Sequence, residues 1–211
     1  MLVRSYIHGP ARMLSLGVKR AMDIAGAAVG LVLLSPAVAI VAIAILVTDG
    51  RPIHYHQTRI GLHGRPFTMH KLRTMVRDAD ARFSEVQHLN ERNNIAFKSG
   101  EDPRITRLGH FLRATSIDEL PQLWNVLRGE MSLVGPRPPL EREVNQYDVW
   151  HRRRLSMRPG ITGLWQVEAR QDGDFDAWVE RDLTYIDRWS LGLDFRILLK
   201  TVPAVVGRTG K

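Results

Sequence analysis

The chain has 211 residues, 44% of them hydrophobic and 25% charged, which suits one compact domain with a core and excludes a disordered chain. It contains no cysteine, so disulfide scaffolds, thiolate zinc sites and cysteine nucleophiles are excluded. Lys and Arg number 30 against 22 Asp and Glu, and this net charge of +8 points to an anionic partner: nucleic acid, acidic lipid or a phosphorylated substrate.

From Ile24 to Val47 run 24 residues without a charge, 20 of them Ala, Val, Ile or Leu. As a straight helix this stretch reaches about 36 Å, enough to cross a hydrocarbon core of about 30 Å. It exceeds the apolar region of a signal peptide, about 7–15 residues, and no small-x-small cleavage site follows, so it reads as a membrane segment. Ser35-Pro36 stands at its centre. Pro36 lacks an N–H and clashes with the carbonyl of Val32, so a kink or break is expected there. A kinked crossing satisfies this, and so does a hairpin that enters and leaves by one face on arms of about 17 Å. Arg4, Arg12, Lys19 and Arg20 precede the run, and Arg51, Arg59, Arg65, Lys71 and Arg73 follow it. Basic residues on both sides favour two cytoplasmic ends, hence the hairpin.

Gly50, Pro52, Gly61 and Gly64 then punctuate two predicted strands, Ile53–Arg59 and Phe67–Arg73. In the second, alternation places Phe67, Met69, Lys71 and Arg73 on one face. Lys71 and Arg73, two cations without nearby acids, suggest an anion site. Periodicity predicts helices at Met75–Leu89, Thr106–Arg113, Pro121–Leu127, Glu141–Leu155, Phe175–Arg188 and about Phe195–Val206, with a polar loop over Asn90–Asp102. The downstream part reads as a single α-rich domain with little sheet.

The stretch Thr115–Asn125 is the most informative. Ser116-x-x-Glu119 matches a capping box, yet with Ser116 as N-cap Pro121 would fall at the fifth helical position, where its missing N–H is needed. Starting the helix at Pro121 leaves Asp118-Glu119 in the turn before it, at the positive dipole end. Adjacent carboxylates there can divide labour, one attacking phosphorus and one holding a divalent cation. Arg137, in the proline-fixed loop Leu133–Pro139, is suited to grip a phosphate. The turn-rich segment Arg158–Gln166 ends in Trp165, which suits framing a base, and Arg152-Arg153-Arg154 beside Trp150 reads as a basic patch or a solvated helix end. The eight histidines show no paired helical zinc spacing and read as structural or surface residues, and no Walker or dinucleotide glycine fingerprint is present.

In order, Lys19–Asp23 leading into Ser35-Pro36, Lys71–Met75, Asp102–Thr106, Thr115–Asn125, Met131–Pro138 and Arg158–Gln166 resemble the bacterial sugar transferase family, monotopic phosphoglycosyl transferases that load a sugar phosphate onto polyprenyl phosphate. The resemblance covers about Lys19 to Val206 and departs at Glu168-Ala169-Arg170, where the family usually carries a glycine before the arginine. It implies an α+β, mostly α fold: a linker over 1–18, a re-entrant membrane helix hairpin over 19–50 broken at Ser35-Pro36, and a small cytoplasmic catalytic domain over 51–211. It implies Asp118 as nucleophile, Glu119 as the Mg²⁺ ligand, and substrate contacts from Lys71, Arg73, Arg113, Arg137 and Asp182. The insertion around Gln87–Lys98 resembles longer members, whose catalytic part follows an N-terminal membrane region. The implied partners are a UDP-sugar, polyprenyl (undecaprenyl) phosphate and lipid of the cytoplasmic leaflet of a bacterial inner membrane, with no nucleic acid and with room for a homodimer. A membrane-tethered nucleic-acid binder or a non-catalytic scaffold is the alternative. The former leaves Asp118-Glu119 beside Pro121 without a purpose.

Overall fold

The structure, a computed structural model, describes residues 10–90, 97, 99–168 and 174–206. Arg4, His8 and Arg170 lie outside the described residues. Pro10–Thr48 forms one helix of 39 residues, α1, so residues 10–18, expected as linker, are its first turns. Proline suits the first helical position, and the Ala- and Leu-rich body that follows has high helix propensity. The helix is continuous through Pro36, where the sequence suggested a kink or break. The Val32 carbonyl, which an amide at position 36 would have engaged, instead accepts the Ser35 hydroxyl at 2.9 Å. The Ser-Pro pair thus supplies its own replacement for the bond that proline removes.

Both ends of α1 are fixed to the downstream domain by polar side chains. Lys19 donates to Asp194 at 2.7 Å and to the Val134 carbonyl at 3.0 Å. Asp23 accepts from the Ser132 hydroxyl and the Leu133 amide, both at 3.0 Å. Beyond the apolar run, Arg73 donates to the Asp49 and Gly50 carbonyls at 2.7 and 2.8 Å, and Thr106 donates to the Asp49 carboxylate at 3.0 Å. Between these anchors Ala27 and Ile45 are fully buried in the domain, while Val32, Leu33, Ile40, Ile43 and Val47 are exposed. This is the one helix among the described residues long and apolar enough to cross a membrane, and its outward face is an uncovered hydrocarbon surface.

The strands β1, His54–Ile60, and β2, Pro66–Leu72, pair antiparallel in the register His54↔Leu72 to Ile60↔Pro66. Each lies within one residue of the sequence reading. After the short α2, Phe83–Val86, come α3, Arg107–Thr115, and α4, Gln122–Arg128. Phe67 and Met69 of β2 pack with Ala27 of α1, Leu123 and Val126 of α4, and Met131. A second pair of strands, β3 at Ser132–Val134 and β4 at Gly160–Thr162, runs parallel. The backbones approach so closely there that a Cβ on Gly135 or Gly160 would collide with the other's main chain. The rest is helical: α5 at Glu141–Val144, α6 at Leu164–Glu168, α7 at Phe175–Asp187 and α8 at Leu191–Val206. The last three enclose the largest apolar cluster, with Trp165 and Trp178 4.6 Å apart between ring centroids.

Two predicted helices are mostly not helices. Over Met75–Leu89 only Phe83–Val86 is α-helical, because Met75 bridges Ile105 and the Val76 amide bonds the Arg104 carbonyl at 2.9 Å. Over Glu141–Leu155 the α-helix stops at Val144, and the His151 ring accepts the Asp148 amide at 3.0 Å ahead of a 3₁₀ turn at His151–Ser156. Of the three arginines Arg152–Arg154, only Arg154 leaves the surface, buried in an ion pair with Asp182, while Arg152 and Arg153 stay exposed and Arg153 pairs with Asp187. Trp165 sits in the core against Trp178 and does not frame a base.

Asp194 is the hub of the α1–α8 junction, receiving Lys19, the Tyr185 hydroxyl at 2.6 Å and the Trp189 indole at 3.1 Å. Asp194→Ala strands a buried ammonium and is expected to cost about 3–5 kcal/mol. A large fall in the melting temperature of the detergent-solubilised protein is the readout; an unchanged melt would contradict this role.

Candidate active site

Thr106 caps α3, its hydroxyl accepting the Gly109 amide at 2.9 Å. The helix ends at Ser116, whose φ of 56° is left-handed without being glycine. That conformation turns the chain straight into a 3₁₀ turn, Ile117–Glu119, and Pro121 then caps α4. Ser116 makes no side-chain cap, so the capping-box reading fails and the start of the helix at Pro121 stands. A strained non-glycine residue beside two carboxylates is the kind of conformation that accumulates at functional sites.

Asp118 is buried, and Lys71 reaches over from β2 to donate to Glu119 Oε1 at 2.7 Å. Lys71 therefore does have an acid beside it. Arg113, in the last turn of α3, is aimed by a 2.9 Å bond from its Nε to the Thr74 hydroxyl. Burial pushes the Asp118 carboxyl up to about 6, with Glu119 adding to the rise and Lys71 and Arg113 opposing it. Burial likewise lowers Arg113, against the pull of Asp118 and Asp102. Asp118, Glu119, Lys71 and Arg113 thus form one electrostatic unit.

Arg137 lies in a second cluster, its guanidinium 3.0 Å from the buried Glu143. Burial alone would raise Glu143, but Arg137 and Arg59 hold it below the usual carboxylate range. Arg59 was not singled out from sequence as a site residue. It donates to the Pro138 carbonyl at 2.9 Å and to Gln57 at 3.0 Å, and is lowered to about 10 by burial and by Arg137. Its field also includes Glu119, so it stands between the two clusters. The alternation of Gln57 and Arg59 on β1 was the available signal.

Two expected contacts lie elsewhere. Arg73 is past the end of β2, holding the carbonyls after α1, with its buried Nε and Nη1 lacking a hydrogen-bond partner. Asp182 is in the core of α7, bonded by Arg154 at 2.8 and 2.5 Å, and burial pushes it up against the pull of that arginine. Arg154 in turn donates to the Arg137 carbonyl at 3.4 Å, so Asp182 bears on the loop of Arg137 through its partner.

Among the described residues no three metal-ligating side chains converge. The adjacent Asp118 and Glu119 offer hard oxygens, and their mutual repulsion is the charge a cation would relieve. Mg²⁺ is commonly held by one or two carboxylates plus substrate phosphates, and this pair fits that mode. Any reaction that uses the ionised Asp118 is expected to lose rate as pH falls through about 6. Linkage has the opposite consequence for stability: the raised carboxyl favours the folded state when protonated, so stability falls as pH rises from 3.8 towards about 6. A pH–rate profile and pH-dependent melting read the two trends, and a flat profile between pH 5 and 7 would contradict them.

The sequence model of the bacterial sugar transferase family matches residues 14–208. The chain is 46% identical over 193 residues to the galactosyl transferase CpsE of Streptococcus agalactiae, covering 91% of this chain and 43% of the relative. It is 41% identical to the undecaprenyl-phosphate galactose phosphotransferase of Salmonella typhimurium, covering 91% and 41%. It is 41% identical to the UDP-glucose:undecaprenyl-phosphate glucose-1-phosphate transferase of Caulobacter vibrioides, covering 89% and 69%. The chain therefore spans less than half the length of the first two.

Proposed function

The chain belongs to the bacterial sugar transferase family, and on that premise we propose that it transfers a sugar 1-phosphate from a UDP-sugar to polyprenyl (undecaprenyl) phosphate, releasing UMP. The observation that carries this reading is the buried Asp118 beside Glu119, Lys71 and Arg113, in a turn that leads directly onto a surface shared with α1. In the first step an Asp118 oxygen bonds to the sugar-bearing phosphorus. The bond from that phosphorus to the bridging oxygen breaks, and the oxygen leaves with UMP. In the second, a phosphate oxygen of the acceptor attacks the same phosphorus, the bond to Asp118 breaks, and the carboxylate is restored. Lys71, Arg113 and Arg137 offset charge on the diphosphate, which otherwise repels a carboxylate nucleophile. Glu119 would hold Mg²⁺ together with the substrate phosphates, and the chemistry the ion would supply is to neutralise charge developing on the phosphoryl oxygens. Burial keeps water from the acyl phosphate between the steps.

The placement of α1 supports a site at the membrane surface. Lys19 and Asp23 on one side of Pro36, and Ile45 and Asp49 on the other, all contact the same domain. A segment anchored this way does not carry its ends to opposite faces, and it holds the carboxylates at the depth of a lipid phosphate. We place that domain on the cytoplasmic side of a bacterial inner membrane, where nucleotide sugars are found. The test is release of UMP across a panel of UDP-sugars with polyprenyl phosphate and Mg²⁺. One UDP-sugar is expected to give UMP and a lipid-linked sugar diphosphate; inertness toward the whole panel, with salt-sensitive DNA binding instead, would replace the transferase by the nucleic-acid reading.

A further inference from the structure

One face of the β1–β2 hairpin carries three imidazoles. His54 and His56 alternate along β1, so both stand on one side of the sheet, and the register His56↔His70 brings a third ring from β2 onto that side. All three border the same open groove beside α1 and α4. A zinc spacing of i and i+4 on a helix is missing from the sequence, but i and i+2 is its counterpart on a strand, because it too puts both donors on one face.

The two opposed rings already stand at ligating separation. Their Nδ1 atoms are 3.0 Å apart, and a tetrahedral zinc ion bound by two imidazoles at about 2.0–2.1 Å holds its nitrogens about 3.3 Å apart. As a hydrogen-bonded pair, one Nδ1 donates and the other accepts. A cation in place of the shared proton leaves both rings neutral, since the donating ring then carries its proton on Nε2. His54 stacks on His56 with ring centroids 6.3 Å apart. Its side chain is exposed, so a change of rotamer that no packing opposes swings a nitrogen toward the pair.

We propose that His54, His56 and His70 form a binding site for a divalent transition metal ion, with Zn²⁺ the ion its donors suit, separate from Glu119. Imidazole nitrogens select Zn²⁺, Cu²⁺ or Ni²⁺ and are poor ligands for Mg²⁺, which takes oxygens and keeps several waters. Three histidines leave the fourth position of a tetrahedral ion open to water. The site bears on its surroundings through β2. The His70 amide donates to the Asn125 side chain at 3.1 Å, and the next residue, Lys71, donates to Glu119. An ion that ties β1 to β2 at His70 therefore braces the strand that aims Lys71.

The test is calorimetric titration of Zn²⁺ into the full chain, without a histidine tag, in detergent after EDTA treatment. The parent is expected to bind one Zn²⁺, to keep it in a large excess of Mg²⁺, and to melt higher with Zn²⁺ than without it. Co²⁺ in its place is expected to show the visible absorption of a four-coordinate ion. His56→Ala and His70→Ala are each expected to weaken Zn²⁺ binding by more than about tenfold, since residues that merely support a metal site account for about 10–100-fold. Both should also lose the rise in melting temperature. His54→Ala is expected to weaken binding and to alter the Co²⁺ spectrum, while His110→Ala, exposed on α3, should bind as the parent does. None of the three rings is fully buried, so the variants should melt in EDTA as the parent does. A parent that binds no Zn²⁺, displacement of the ion by Mg²⁺, or parent-like binding in both His56→Ala and His70→Ala would overturn the site. So would a His54→Ala protein with the parent's affinity and spectrum.

Discussion

Asp118→Asn is expected to end UMP release in the absence of acceptor, with a rate loss on the order of 10⁴–10⁶, the scale on which removing a covalent nucleophile acts. The substitution keeps the shape of a side chain that is 5% exposed and removes only the anionic oxygen. It also removes the charge whose burial raises this carboxyl from 3.8 to about 6. A shift of that size corresponds to about 3 kcal/mol of strain at neutral pH, an upper figure because Lys71 and Arg113 lose a partner. The variant should therefore melt no lower than the parent, which separates loss of chemistry from loss of fold. Substantial UMP release by a folded Asp118→Asn protein would remove Asp118 from the reaction.

Glu119→Gln is expected to act differently. Glu119 takes the Lys71 ammonium at 2.7 Å, and it is the more exposed of the two carboxylates, with its side chain 30% exposed. A residue that positions charge and does not form the bond typically accounts for about 10²–10³ in rate. The variant should keep measurable turnover, need more Mg²⁺ to reach half its maximal rate, and shift the fall in rate to lower pH, because the neighbour that raises Asp118 has lost its charge. Titration of rate against Mg²⁺ at two pH values reads all three. An unchanged Mg²⁺ requirement would take the metal away from Glu119.

Much of this arrangement is legible in the sequence. The length of the apolar run, the strand alternation through Lys71 and the misfit of Pro121 with a capping box are local signals, and each survives in the structure because no distant contact opposes it. Other features depend on partners far along the chain. Met75–Val76 has helical periodicity but finds extended partners at Arg104 and Ile105. Arg73 shares the alternation of Lys71, yet the strand ends before it and the carbonyls after α1 claim its guanidinium. Asp182 is expected at the site only through the family resemblance, and Arg154, 28 residues away, holds it in the core of α7. Pro36 is the reverse case. The rule that proline interrupts a helix holds for the amide, and the preceding serine supplies the missing donor to Val32, a compensation visible only with the hydroxyl in place.

The central claim is a phosphosugar carried on Asp118. Its most direct test is mass spectrometry of the protein incubated with Mg²⁺ and its UDP-sugar in the absence of polyprenyl phosphate, followed by peptide mapping. The account predicts a mass increase of one sugar phosphate on the peptide that contains Asp118, one UMP released per protein molecule, and loss of the adduct when polyprenyl phosphate is added. An unmodified protein that releases UMP only when both substrates are present would contradict it, because transfer would then be direct and Asp118 would not form the bond.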